Sequence, residues 1–419
     1  MTAVAPYEAE VRRERHDRLH ELRSAAAVRE RCEKVYRWIA DGNSSYFQLD
    51  TPRLADVAEF VSDVTRQAYP DLAIPPHSRW RHFAIDGLDR WGSVSKTTGD
   101  SIELARTAVD LAVVSVLLDA GAGDTWRYRE AGTDRVYARS EGLAVASIDM
   151  FKAGMFSSDP MQTLRADDVA LSTLDSRTVG QGLQVAADNP LVGLDRRTEL
   201  LQRLGRTLAS QPALFGERPA RPGRLVDYLI ERAPSGRVSS PDILTIVLDA
   251  LSTIWPSGLT IRGFPIGDAG IHSSIRTRDE SDGIVPFHKL SQWLTYSLIE
   301  PLTWAGLTVV DVDKLTALAE YRNGGLLIDL GVIRPRETLD LRSQYEVTSQ
   351  TVVEWRALTI ALMNRLLETV RDKLNVDASF QMPQLLQGGT WTAGRLLALQ
   401  LRPPHGPSPI LIAADGSVF

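Results

Sequence analysis

Two short stretches gather most of the reactive side chains of this 419-residue chain. The first is Phe287-His288-Lys289-Leu290-Ser291-Gln292-Trp293-Leu294-Thr295-Tyr296-Ser297. The second is Ala319-Glu320-Tyr321-Arg322-Asn323-Gly324-Gly325. Positions three, four and seven apart share a helix face. On that spacing Lys289, Trp293, Tyr296 and Glu300 form one stripe, and Leu290, Leu294 and Leu298 another. Aromatics mixed with a lysine and a carboxylate suit a pocket for a polar, ring-containing ligand. The plainer reading is an exposed lysine on an amphipathic helix whose aromatics are core. Glu320 and Arg322 read either as a weak surface pair or as a carboxylate presented to a ligand beside a glycine-rich break.

Helices must position these groups. The pattern predicts helices over 8–40, 51–68, 101–120, 139–154, 197–209, 241–254, 286–305, 312–321 and 348–374. Thr51 is the expected N-cap of the second, with Pro52 at its first position. Ser101 is the expected cap of the third, stopped by Gly121 and Gly123. Asn323-Gly324-Gly325 is expected to end the helix that begins near Asp313. Period-two alternation is scarce, with short strands near 260–264 and 409–413. The fold class is therefore all-α: one large helical domain over 1–419, with a sub-boundary near 211–223 between an N-terminal helical region and a C-terminal region carrying the site.

Composition narrows the function. Hydrophobic content of 43% and charged content of 24% are ordinary for a soluble globular protein. A net charge of -6 without a basic stripe argues against a nucleic-acid partner. The single cysteine, Cys32, precludes an internal disulfide and a zinc-thiolate site. The charged N-terminal stretch is not a signal peptide, and the apolar run 111–118 is too short to span a bilayer. A cytoplasmic location without membrane contact is expected, and the oligomeric state is open. There is no P-loop, no dinucleotide-binding glycine motif, no H-E-x-x-H and no nucleophile elbow. His16 and His20 lie four apart on a charged face, a poor metal site. Other carboxylates could meet a ligand. Glu141 and Asp149 lie in 139–154, where Glu141 also suits a helix start. Asp268 lies in the turn-rich loop 263–272, where it also suits a turn cap.

Four segments carry a resemblance over nearly the full length. They are Tyr36-Arg37-Trp38 with Gly42-Asn43-Ser44, then Ser78-Arg79-Trp80-Arg81-His82-Phe83, then Arg139-Ser140-Glu141-Gly142-Leu143-Ala144, and the lysine helix 287–297. Together they resemble the uracil-catabolism protein family of the Urc4/Urg3 type, a domain of unknown function. A more distant resemblance rests on Phe287, Lys289 and Gln292, then Ala319, Glu320, Tyr321 and Arg322, then Leu330, Gly331 and Val332. It is to the queuosine-salvage N-glycosylases, helical hydrolases related in fold to DNA glycosylases. This chain departs from that pattern at Glu320, where the family usually has aspartate, and at Asn323-Gly324-Gly325, where it has bulkier residues. Those departures imply a different substrate.

The first resemblance implies a pathway in which uracil is ribosylated and ring-opened to a ribosylurea. The second implies the step: hydrolysis of the N-glycosidic bond of a ribosylurea, expected to be 5-phosphorylated, to urea and ribose phosphate. Glu320 is then the catalytic carboxylate and Lys289 its partner or a sugar anchor. His288 and Arg322 are candidates for phosphate or leaving-group contacts, and Gln292 and Tyr321 for substrate contacts. Trp293 and Tyr296 wall the pocket. Glu141, Asp149 or Asp268 serves as general acid. No metal or cofactor is implied. The alternatives are a phosphoribosyl-transfer or nucleotide-processing step of the same pathway, and a non-enzymatic nucleotide-binding protein. Whether Trp80, Arg81 and His82 reach the site stays open.

Overall fold

The computed structural model describes residues 18–119, 121–255 and 258–413. Helices carry the fold. Every strand pairing among the described residues is a two-stranded ribbon with at most three residues per strand. Ribbons this small have little stability alone; they pin loops to the helical body.

The helices that matter to the site are α1 Ala25–Ala40, α2 Leu54–Ala68, α3 Arg79–Phe83, α4 Ser101–Leu118, α5 Arg139–Lys152, α6 Leu194–Ala209, α7 Ser240–Leu251, α8 Lys289–Trp304, α9 Tyr321–Asp329, α10 Gln350–Leu374 and α11 Trp391–Leu401. Residues 107–118 of α4 are buried without exception. A segment this predominantly apolar belongs inside, and α4 packs along α8. The long α10 is buried through most of its length and packs against α1 and α2. One apolar core runs through these helices, from Ala25 to Ile410.

Several boundaries differ from expectation, each for a local reason. The helix expected over 8–40 is interrupted at Arg23-Ser24, because the Ser24 hydroxyl accepts from the Ala27 amide at 3.1 Å and starts α1 afresh. Residues 8–17 of that expectation lie outside the described residues. Thr51 does not cap; Thr51–Arg53 forms a 3-10 turn ahead of α2. Asp100, not Ser101, caps α4 by accepting from the Ile102 amide at 2.9 Å. The largest difference is at 312–321. Only a 3-10 turn, Val312–Lys314, forms there. Residues 315–320 are non-helical, and α9 begins where the expected helix was to end.

The glycines of α9 explain the misreading. A Cβ on Gly324 would lie 2.6 Å from Trp355 Nε1 and 2.7 Å from Thr359 Oγ1. A Cβ on Gly325 would lie 3.2 Å from Pro409. These glycines let α9 sit against α10 and the 409 segment. They cost the helix roughly 0.5–1 kcal/mol each relative to alanine, but they do not break it.

The 211–223 stretch is bound to α4. Arg221 pairs with the fully buried Asp110 at 2.7 Å, and the Gly223 amide donates to the same carboxylate at 2.6 Å. The two expected strand regions form as the Thr260–Ile261/Phe264–Pro265 hairpin and as Leu411–Ile412, which pairs parallel to Gln344–Tyr345.

Candidate functional site

A cavity of about 310 Å³ opens where α4, α5, α8, α9 and α11 converge. Its position follows from how these helices begin. α8 starts from His288 at φ 49 and α5 from Arg139 at φ 54, both left-handed conformations rare outside glycine. Such strain concentrates at functional sites. At α8 it is held by Asp268. One carboxylate oxygen accepts from the Lys289 amide at 3.0 Å, and both pair with Arg356 at 2.8 and 2.6 Å. Burial opposes ionisation of Asp268, but Arg356 and that amide outweigh it and hold the carboxyl below its usual range.

Lys289 and Trp293 line the cavity from α8. Burial lowers the Lys289 ammonium from its ordinary value, against the pull of Glu320. Glu320 faces the cavity from the N-cap of α9 and is 9% exposed. Its two oxygens accept from the amides of Arg322 at 2.7 Å and Asn323 at 2.6 Å. Burial raises its carboxyl above the ordinary range, opposed by those two amides and by Lys289. Each oxygen retains a lone pair, so capping does not exhaust the carboxylate.

A second set of cavity residues comes from the other side. Asp119, the residue after α4, pairs with the fully buried Arg79 at 2.7 Å. Glu141 pairs with Arg395 of α11, and Arg139 lies 3.4 Å from Asp124 and donates to the His405 carbonyl at 2.6 Å. The far end is closed by rings: His77, His82, Trp293 and Trp391. A π-helical turn, Leu386–Thr390, immediately precedes Trp391. Such turns recur at functional sites. Gly406, Pro407, Ser408, Leu411 and Ile412 complete the wall.

Three buried polar atoms of cavity-lining residues have no partner among the described residues: Trp293 Nε1, Asn323 Oδ1 and Ser408 Oγ. Buried polar groups are normally satisfied, so these three atoms are available to a ligand in the cavity.

Of the residues singled out from the sequence, Glu141, Lys289, Trp293, Glu320, Tyr321 and Arg322 line this cavity together. The others do not. Tyr296 points away from it, its hydroxyl donating to the Thr316 carbonyl at 2.8 Å, so it does not wall the pocket as expected. The shared stripe fails again at Glu300, which pairs with Arg81 and accepts from Ser78 at 2.7 Å. His288 is turned to the Leu22 carbonyl, 2.8 Å from its Nε2, and so reaches no cavity phosphate. Asp268 is spent on Arg356 and the start of α8. Asp149 accepts from Tyr128 at 3.0 Å outside the cavity, which removes both as general acids there. Gln292 is fully buried outside the lining, with both amide atoms unpaired among the described residues, and nothing in the structure explains it. His82 reaches the cavity; Trp80 and Arg81 do not. His20 lies beside Asp249, and His16 falls outside the described residues. Among the described residues no cluster suited to a metal ion occurs, and no helix is long and apolar enough to cross a membrane.

A family model described as "Protein of unknown function (DUF1688)" matches residues 21–419. The chain belongs to the DUF1688 family. It is 38% identical over 411 residues to "Protein urg3" of Schizosaccharomyces pombe, covering 95% of this chain and 98% of that protein. It is 37% identical over 434 residues to "Uracil catabolism protein 4" of Lachancea kluyveri, again covering 95% and 98%. The first resemblance read from the sequence therefore stands.

Within this DUF1688 chain, sequence reasoning missed His77, Asp119, Arg139, Trp391 and Arg395. Asp119 had a signal, an acid directly after the nearly unbroken apolar run 111–118. His77 and Trp391 had none, because a loop and a π-helical turn follow no simple period.

Proposed function

We propose that this protein acts in uracil catabolism, as the name of its Lachancea kluyveri relative says of that protein, and that it hydrolyses the N-glycosidic bond of a ribosylurea, with or without a 5-phosphate. The observation that carries this reading is Glu320, a buried carboxylate on the cavity wall within the electrostatic reach of Lys289. The bond between C1′ and the urea nitrogen breaks through an oxocarbenium-like transition state. A carboxylate close to C1′ stabilises that cation where water is scarce. As water adds to C1′, Glu320 accepts its proton. The departing nitrogen keeps the bonding electron pair and takes up a proton, leaving urea and the free sugar. Of the candidate acids for that second proton, Glu141 is on the cavity wall with Asp124, while Asp119 is held by Arg79. The cations Arg139, Arg322 and Arg395 supply contacts for hydroxyls or a phosphate.

The capping bonds of Glu320 favour a second reading, in which the carboxylate is structural and the protein binds a uracil-derived nucleotide without turnover. Urea release decides between them. Purified protein is incubated with ribosylurea and with ribosylurea 5-phosphate while urea is followed over time. Release from either supports the glycosidase. Tight binding of both without release overturns it.

A further inference from the structure

The ring-lined end of the cavity holds two imidazoles whose proton positions are set by their neighbours. His82 Nδ1 lies 3.4 Å from Arg79 Nη1. Nη1 also donates to Asp119 at 2.7 Å and faces the Ser140 carbonyl at 3.3 Å; since a guanidinium donates and cannot accept, its closeness favours the tautomer with the His82 proton on Nε2. Arg79 cannot turn away, being fully buried and held by Asp119 at 2.7 Å and by Ser115 at 2.6 Å. His77 Nδ1 lies 3.0 Å from Gln387 Oε1, while the amide nitrogen of that glutamine donates to Tyr69 Oη at 3.1 Å. With the amide in that orientation His77 carries its proton on Nδ1 and leaves Nε2 as an acceptor. Burial keeps both rings neutral, His82 down to about 3 with Arg79 adding to the effect. One ring thus offers a hydrogen-bond donor and the other an acceptor.

The two rings stand 6.2 Å apart at 89°. Trp293 lies 6.2 Å from His77 and 5.7 Å from His82. Trp391 lies 6.4 Å and 5.9 Å from the same pair. Indole faces favour a flat ligand. The unpartnered Trp293 Nε1 adds a second donor at this end.

We propose that this end is the leaving-group subsite, and that it selects a planar ureido group by giving the His82 Nε2 proton to its carbonyl and accepting one of its N–H protons at His77 Nε2. The proposal rests on reading the cavity as an N-glycoside site, and assigns the polar Glu320–Lys289 wall to the sugar. Two hydrogen bonds of about 2.9 Å converging on one small group are compatible with rings at this separation. Since both imidazoles are neutral, they bind and orient urea; His82 does not act as a charged acid. A lactam edge such as that of free uracil has the same donor–acceptor pair and should compete.

The test is a histidine-selective ¹⁵N NMR spectrum of the full chain, read for ring tautomers and for changes on adding ribosylurea or uracil. The expected result is His82 protonated on Nε2 and neutral from pH 5 to 8, with signals of both rings moving on saturation by ribosylurea. His82→Phe should weaken ribosylurea binding at least tenfold, and His82→Gln, which keeps a donor, should restore part of it. A His82 protonated on Nδ1, ring signals unmoved by saturating ribosylurea, or unchanged binding by His82→Phe would each overturn the assignment. Urea release with unmoved histidine signals sinks the subsite and leaves the hydrolysis standing. Ring shifts with no urea release leave the ureido contacts standing but overturn the hydrolysis and, with it, the leaving-group role.

Discussion

Replacing Glu320 separates its two roles, because capping and charge can be removed independently. In Glu320→Asn the amide oxygen can still cap α9, since asparagine is among the best N-cap residues. The negative charge is gone. Of the two amide bonds now made at 2.6 and 2.7 Å, one survives and the other amide loses its partner, a cost of about 1–3 kcal/mol. Removing a buried carboxylate whose ionisation burial opposes offsets part of that. The expected net change in stability is about 1 kcal/mol, small for a chain of this size. Activity should respond on another scale. Losing one preorganised electrostatic partner of a developing charge typically lowers kcat by about 10²–10³. Urea release and thermal unfolding are measured on the same preparation. Refutation is a Glu320→Asn protein, folded and binding ribosylurea, whose kcat stays within tenfold of the parent. Glu320 would then be a cap and nothing more.

Four further outcomes are expected. Because burial raises Glu320 above its ordinary 4.5 and the reaction needs it ionised, kcat should rise with pH along a limb centred above that value. Lys289→Met, which removes a cation that favours the carboxylate, should shift the limb upward and lower the rate below it; a pH–rate profile superposable on the parent's would contradict this. Gly324→Ala puts a methyl 2.6 Å from Trp355 Nε1 and should destabilise the fold by about 1–3 kcal/mol while lowering kcat; an unchanged melting temperature would show that α9 does not need this approach. Finally, His82 is held at about 3 when folded against 6.5 as its ordinary value. Its unfolded form binds a proton that the folded form refuses, so stability is lost as pH falls from 6.5 toward 3, by about 2 kcal/mol at pH 5 from this residue. His82→Phe should flatten the fall in melting temperature between pH 7 and 5, and an equally steep fall in that variant would refute the attribution.

The helical class was legible because most of the long helices are strongly patterned. The second half of α4 is almost wholly apolar, and α10 follows its period to an asparagine stop. Lys289, Trp293, Glu320, Tyr321 and Arg322 were legible as chemistry, but not with the right backbone. Asn-Gly-Gly normally ends a helix, and only the closeness of Trp355 explains why it lies inside one here. Tyr296 and Glu300 were assigned to the lysine stripe by spacing alone. A neighbouring carbonyl and a neighbouring arginine claim them instead. The same long-range claims appear at Pro301. Lacking an N–H, it cannot bond the Ser297 carbonyl, and Trp80 Nε1 takes that acceptor at 2.8 Å. No local pattern reveals such a partner.

The walls of the cavity come from five stretches distant in sequence: 77–82, 119–141, 289–293, 318–323 and 386–412. None can make the site alone. A ligand that enters therefore ties together α4, α5, α8, α9 and α11, and opening any one of them must release it. Occupancy should be felt as protection across the whole core, not as stiffening of a loop. At a ligand concentration about a hundred times Kd the folded state gains about 2.7 kcal/mol. A cell rich in the substrate would hold more of this protein folded than a cell without it.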